Sequence, residues 1–311
     1  MTRLREVEAL AAERAAPAPR YLAPVRWSAA VVETSRPRQW PKNLLVFAAP
    51  LAGASLGRDD GPGYALAAAA AFVVASAAVY FVNDVTDAER DRRHPVKRHR
   101  AVAAGRLPES HALAIASLCT VTALAAGFAI AEPGLSVVIA VYLAFSMLYT
   151  LILKHIPVVE LVFVAVGFVL RALGGAIATH VPPSAWFLIV CSLGALMVAL
   201  AKRYTELAML GAAAAGHRPV MRWYSRATLR ASQRVAACAM VAAYLLWAQA
   251  ERNPWMLGWH LASALALAVA LARFDWLTGR AGDRPVEDLI ARDGLMVYCE
   301  LIWLIMFAAG L

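Results

Sequence analysis

Asn83-Asp84-Val85-Thr86-Asp87-Ala88-Glu89-Arg90-Asp91 closes a run, Gly61–Asn83, that carries no charge at all. A hydrophobic helix therefore ends in a cluster of carboxylates. If the helix continues through the motif, Asn83, Asp87 and Asp91 fall at i, i+4 and i+8 on one face. Asp84 flanks them and lies seven residues before Asp91, again roughly aligned. Oxygen-rich side chains on one face suit a hard divalent cation such as Mg²⁺. The basic run that follows, Arg92 through Arg106, suits phosphate oxygens. Together they predict a metal–phosphate site at a membrane surface.

The rest of the chain supplies the membrane. Of 311 residues 61% are hydrophobic and only 16% charged, where a soluble domain has about a quarter charged. Uncharged runs also cover Ala112–Ala131, Pro133–Leu153, Ala172–Ala201, Val235–Ala250 and Asn253–Ala272. Several reach the roughly 20 residues that cross a bilayer. The expectation is an all-α polytopic membrane protein with nine spans, near 43–57, 64–83, 111–131, 134–153, 158–178, 185–201, 233–250, 255–273 and 294–311. Pro133-Gly134 and Pro182-Pro183 mark tight outer turns. Residues 1–33 read as an N-terminal cytoplasmic tail without a secretory h-region, and 34–311 as one transmembrane catalytic domain.

Loop charge orients this bundle. With the N-terminus and the loops after spans 2, 4, 6 and 8 on one side, that side holds 27 of the 30 Lys and Arg. The bias predicts an integral plasma-membrane protein with its N-terminus and its site cytoplasmic and its C-terminus outside. The net charge of +9 is then a property of cytoplasmic loops, and no nucleic-acid partner is inferred. Cys119, Cys191, Cys238 and Cys299 stand singly in apolar stretches without metal-ligand spacing. Arg58-Asp59-Asp60 reads as a solvated outer turn.

Intramembrane charges are costly and face the bundle interior. Glu160 at the cytoplasmic edge of span 5 reads as functional, able to bind hydroxyls or orient a cation. Arg171 serves function or bundle structure equally well, and the role of Glu300 stays open. Lys202 and Glu206, at i and i+4 where span 6 reaches the mouth, form either a helix-end ion pair or part of the site.

Asn83-Asp84-x-x-Asp87-x-x-x-Asp91 resembles the first aspartate motif of the UbiA-type intramembrane prenyltransferase superfamily, and the nine-span layout is similar. Arg36-Pro-Arg-Gln-Trp-Pro-Lys-Asn43, His94-Pro-Val-Lys-Arg-His-Arg100 with Gly105, Gly167-Phe-Val-Leu-Arg-Ala172 and Lys202-Arg-Tyr-Thr-Glu206 are similar to its decaprenyl-phosphate phosphoribosyltransferase branch. Ordinary superfamily members carry a second Asp-x-x-x-Asp after span 6. Here Lys202, Tyr204 and Glu206 stand in its place, with one acid instead of two. Ala101 departs from the branch's usual Pro, which puts the local turn geometry in question.

The resemblance implies transfer of 5-phosphoribose from phosphoribosyl diphosphate to a polyprenyl (decaprenyl) phosphate, toward arabinose donors for cell-wall polymers. It implies Asn83, Asp84, Asp87 and Asp91 as Mg²⁺ ligands, with Asp87, Asp91 and Lys202 central to catalysis. Lys42, Arg100 and Lys202 are the first choices for gripping phosphates; Gln39, Asn43, Lys97, Arg98 and Tyr204 come second. Two alternatives stand beside it: prenyl transfer from a prenyl diphosphate to an aromatic acceptor, and a transporter using Glu160, Arg171 and Glu300 as its path. Assembly as a monomer or homo-oligomer is not readable from the chain.

Overall fold

Apolar length dictates the architecture. The computed structural model describes residues 24–57, 60–94, 97–211, 219–250, 252–280 and 293–311, and contains helices and no strand among them. Among the described residues seven segments are long and apolar enough to cross a membrane. They are α3 (Gly61–Thr86), the two arms of α5 (Glu109–Leu151), α6 (Val159–Ala178), α7 (Ala185–Leu210), α8 (Arg226–Ala248) and α9 (Pro254–Gly279). The expected count of nine is not met on that criterion. The last segment, α10 (Gly294–Ala309), has only 16 residues. The first expected span, 43–57, is broken: its start belongs to a 3-10 segment, Pro37–Phe47, that holds Pro41, and this leads into the five-residue α2 (Ala48–Ala52), which holds Pro50. Proline lacks the amide that an α-helix interior needs, so this stretch does not form one long rod.

Helix starts follow their capping residues. Ser184, Ser225, Asn253 and Asp293 each accept a hydrogen bond from a backbone N–H in the first turn of α7, α8, α9 and α10. The predicted outer turn at Pro133-Gly134 is also present, although the backbone of α5 stays helical through it. The Ser136 hydroxyl donates to the Leu124 carbonyl at 3.1 Å. A straight helix would hold those residues about 18 Å apart, so the chain doubles back.

Part of the expected tail belongs to the folded body. Helix α1 (Pro24–Ser35) packs against α3, and its Ala30 is fully buried with Phe81, Ala88, Leu107 and Ala112. Residues 1–23 of that tail, together with Arg58 and Asp59, lie outside the described residues. This small apolar cluster underlies the aspartate motif and the loop after it. The turn that Ala101 put in question is formed: its carbonyl accepts from Arg106 N and Leu107 N at 2.9 and 3.0 Å. Gly105 supplies the left-handed φ of 71° that the reversal needs. The cations of the loop are thereby turned back toward the end of α3.

Candidate functional site

Helix α3 does not run unbroken through the motif. Asp87 is its C-cap, and α4 (Ala88–Arg92) begins at once. Continuity survives in the backbone, because Asp87 N donates to Asn83 O at 3.0 Å and Asp91 N to Asp87 O at 2.8 Å. Asp84 and Asp91 are each only 3% exposed, which for carboxylates demands partners.

The carboxylates of the motif, Asp87 included, are met by cations from three separate parts of the chain. Arg100 Nη1 reaches both Asp91 Oδ2, at 2.7 Å, and Asp84 Oδ1, at 3.4 Å. Arg36 pairs with Asp84 and lies over the Tyr80 ring at 4.8 Å. Lys154, from the turn between α5 and α6, meets Asp87 Oδ1 at 2.9 Å. Arg36 and Lys154 were not singled out from sequence. Each leaves a trace there: Arg36 precedes a proline, and Lys154 is the one cation in its loop. Arg36 also adopts φ 54°, ψ 67°, a left-handed conformation that non-glycine residues hold only under external constraint.

Lys97 belongs to the same mouth. Crowding by surrounding protein, and next the nearby Arg100 charge, push its ammonium below the ordinary lysine range, while Asp91, Asp87 and Glu206 pull the other way. Glu206 within its field brings the end of α7 to the aspartate motif. Arg98 turns elsewhere, with Nε donating to His99 at 3.3 Å. Gln39 and Lys42 are half-buried on the 3-10 segment.

The opposite rim is organised by a residue that sequence reasoning passed over, Arg203. Buried on α7, it pairs through Nε with Glu160 at 2.9 Å and through Nη1 with Glu206. The acid of the Lys202-x-x-x-Glu206 pattern is thus committed to Arg203, and Lys202 itself is exposed. Ahead of Glu160, Val159 N donates to Pro157 O at 2.7 Å across Val158, whose φ is 65°. That is the rarer, strained form of γ-turn. The Tyr224 hydroxyl accepts from Val158 N at 2.9 Å and also faces Glu160. Partial burial pushes this phenol up, with the Val158 amide opposing.

Two expected site residues lie elsewhere. Asn43 is 2% exposed, and its Oδ1 accepts from Arg171 Nε at 2.8 Å and from Ser76 at 3.3 Å. Arg171 completes its bonds with Gly167 O, Ser76 and the Tyr142 hydroxyl, at 2.7, 3.2 and 2.8 Å. These bonds pin the 3-10 segment to α3, α5 and α6 inside the bundle, away from the carboxylates. Gly175 makes the approach feasible, since a Cβ there would lie 1.7 Å from Val46 O. Tyr204 faces Arg230, whose guanidinium carbon lies 5.6 Å from its ring centre. Glu300 lines a cavity of about 970 Å³ between the bundle's halves, walled by Phe47, Phe168, Met240, Trp247 and Phe307.

No three acids, histidines or cysteines among the described residues are gathered closely enough to hold a metal alone. The donor chemistry nevertheless fits Mg²⁺, which keeps several waters and is held by one or two carboxylates plus substrate phosphates. Asp84 and Asp91, both within reach of one Arg100 nitrogen, form such a pair.

A helical bundle with buried carboxylates and clustered cations at one helix end has the make-up of an intramembrane site for anionic groups. Residues 44–286 match the UbiA prenyltransferase family, and the chain belongs to it. It is accordingly an integral membrane transferase. Over 293 residues it is 39% identical to the decaprenyl-phosphate phosphoribosyltransferase of Mycobacterium tuberculosis, covering 92% of this chain and 96% of that one. The enzyme of the same name from Corynebacterium glutamicum is 33% identical over 286 residues, covering 88% and 84%. The solved structure of a UbiA homolog from Archaeoglobus fulgidus bound to GPP and Mg²⁺ superposes with a TM-score of 0.68 at 13% identity, covering 90% of this chain and 98% of that one. At that identity the likeness speaks for the fold.

Proposed function

We propose that the protein transfers 5-phosphoribose from phosphoribosyl diphosphate to decaprenyl or a related polyprenyl phosphate, releasing diphosphate. The observation that carries this reading is the imbalance of the two rims. One bears three carboxylates, each with a cation; the other bears Lys202 where an acid would serve a second metal. A donor with a diphosphate on C1 and a separate 5-phosphate, met by a lipid phosphate, brings three anionic groups to one mouth. Arg forks and Lys point charges answer that demand. The names of the relatives favour the same reaction.

Asp84, Asp87 and Asp91 would hold a divalent ion, Mg²⁺ in our reading, which when bound neutralises charge on the departing diphosphate. Arg36, Arg100, Lys154 and Lys97 stand close enough to these acids to turn onto phosphate oxygens as substrate arrives. Lys202 faces the 5-phosphate or the lipid phosphate from the other rim. The C1–O bond to diphosphate breaks with its electron pair leaving on the diphosphate. An oxygen of the lipid phosphate forms the new C1–O bond from the opposite face, inverting C1. This nucleophile is already ionised, so no strong general base is needed. The polyprenyl chain lies in the apolar cavity beside Trp247 and Phe307. The site and the N-terminus face the cytoplasm of the plasma membrane and the C-terminus lies outside, as the loop charge favours. The product feeds arabinose donors for cell-wall polysaccharide.

Incubating the purified protein with labelled phosphoribosyl diphosphate and polyprenyl phosphate should move label into the lipid fraction only when a divalent ion is present. Full transfer in a chelator would remove the metal from the account, and no transfer under any condition would remove the reaction.

A further inference from the structure

Residues 203 and 204 are neighbours on α7 but point about 100° apart. Arg203 turns toward Glu160, whereas Tyr204 turns toward α8 and α9 and walls a second cavity, of about 490 Å³. Met209, Arg226, Thr278, Gly279 and Arg280 complete it, so it is framed by the ends of three helices. No carboxylate lines it among the described residues. Asp275, on α9, turns to other cations: its Oδ2 accepts from Arg230 Nη2 at 3.1 Å and from Arg234 Nε at 3.2 Å.

Gly279 lets Arg230 lie close: a Cβ there would sit 1.9 Å from Arg230 Nη1, and the guanidinium would have to shift. Arg226 uses one nitrogen, Nη2, to cap the end of α7 at the Leu207 and Ala208 carbonyls. No acid pairs with Arg226 or Arg280 among the described residues. Arg280 lies 4.0 Å over the ring of exposed Trp276, and Trp223, just before Arg226 in the chain, is also exposed. Tryptophan with arginine on a membrane protein's surface marks headgroup level.

We propose that this cavity is a second anion site, separate from the aspartate motif, whose ligand is a phosphate group held between Arg226 and Arg280 with Tyr204 opposite. The favoured source is the headgroup of an anionic phospholipid; a free phosphate shares the chemistry. The inference does not depend on which sugar or prenyl group the protein transfers.

The full chain, purified and delipidated in a neutral detergent, is titrated with phosphatidylglycerol, phosphatidylcholine or inorganic diphosphate while its Tm is followed. Phosphatidylglycerol should raise Tm and phosphatidylcholine should not. In R226Q/R280Q the midpoint of that response should move to at least about tenfold higher lipid, given about one kcal/mol per basic side chain at an anionic surface. Diphosphate reproducing the shift in the wild type and losing it in the variant would make the site's ligand a free phosphate. R280Q alone guards against misfolding and should show part of the loss, while R226K/R280K should retain most of the response. An unchanged phosphatidylglycerol titration in both Gln variants, or no selectivity over phosphatidylcholine, would overturn the proposal.

Discussion

The two rims of the mouth solve opposite problems with the same residue types. At the end of α3, carboxylates outnumber what the helix itself can satisfy, and cations come from the N-terminal segment, the following loop and the α5–α6 turn. At the end of α7 a single buried Arg203 spans two acids on different helices, and no carboxylate is left over. The first rim shares its carboxylates among several partly exposed cations; the second is a strut built on one buried arginine. In our proposal the chemistry falls to the first rim and to Lys202, whereas the Arg203 strut joins α6 to α7.

Replacing Asp87 by Asn should be the most damaging change to the first rim, lowering transfer at least about 1,000-fold, equivalent to about 4 kcal/mol in the barrier, with little change in Tm. Retained activity would sever the motif from the chemistry. Arg203→Met should act through stability instead. It strands buried Glu160 and should cost about 3–5 kcal/mol, read as a lower Tm in detergent. Glu160→Gln in the same background should recover part of the loss; if it does not, the strut is misassigned.

Lys202→Met should raise KM for a phosphate substrate about tenfold and leave Tm unmoved, a contrast with its neighbour Arg203 that tests the division of labour. Smallest is the effect of Lys97. Its lowered ammonium pKa means the positive charge is present at low pH and lost as pH rises, earlier than for an ordinary lysine. Phosphate affinity should therefore fall on the alkaline side, and Lys97→Arg should extend the plateau upward by keeping its charge. A profile indifferent to that exchange would place Lys97 outside the site.

What sequence could show here was local. The carboxylate spacing of Asn83, Asp87 and Asp91 follows from helical periodicity, and the reversal at Pro133-Gly134 from turn chemistry. Partnerships across the chain were not legible. Arg36 and Asp84 are 48 residues apart, and Lys154 and Asp87 are 67. Nothing local marks such pairs until the helices are packed. Asn43 shows the converse: beside Lys42 it looked like a phosphate ligand, but the 3-10 segment forced by Pro41 turns it inward onto Arg171. The same segment accounts for one of the two spans that fall short, and the 16 residues of α10 for the other, because hydropathy counts apolar residues without asking how far a regular helix continues.

The choice of donor tests the central claim most directly. The purified protein is offered labelled phosphoribosyl diphosphate with polyprenyl phosphate and, separately, a labelled prenyl diphosphate with an aromatic acceptor, both with Mg²⁺. A single set of aspartates ringed by cations, with Lys202 in place of a second set, predicts label from phosphoribosyl diphosphate in the lipid and no turnover of the prenyl diphosphate. Prenylation of the aromatic acceptor, with phosphoribosyl diphosphate left intact, would contradict the account.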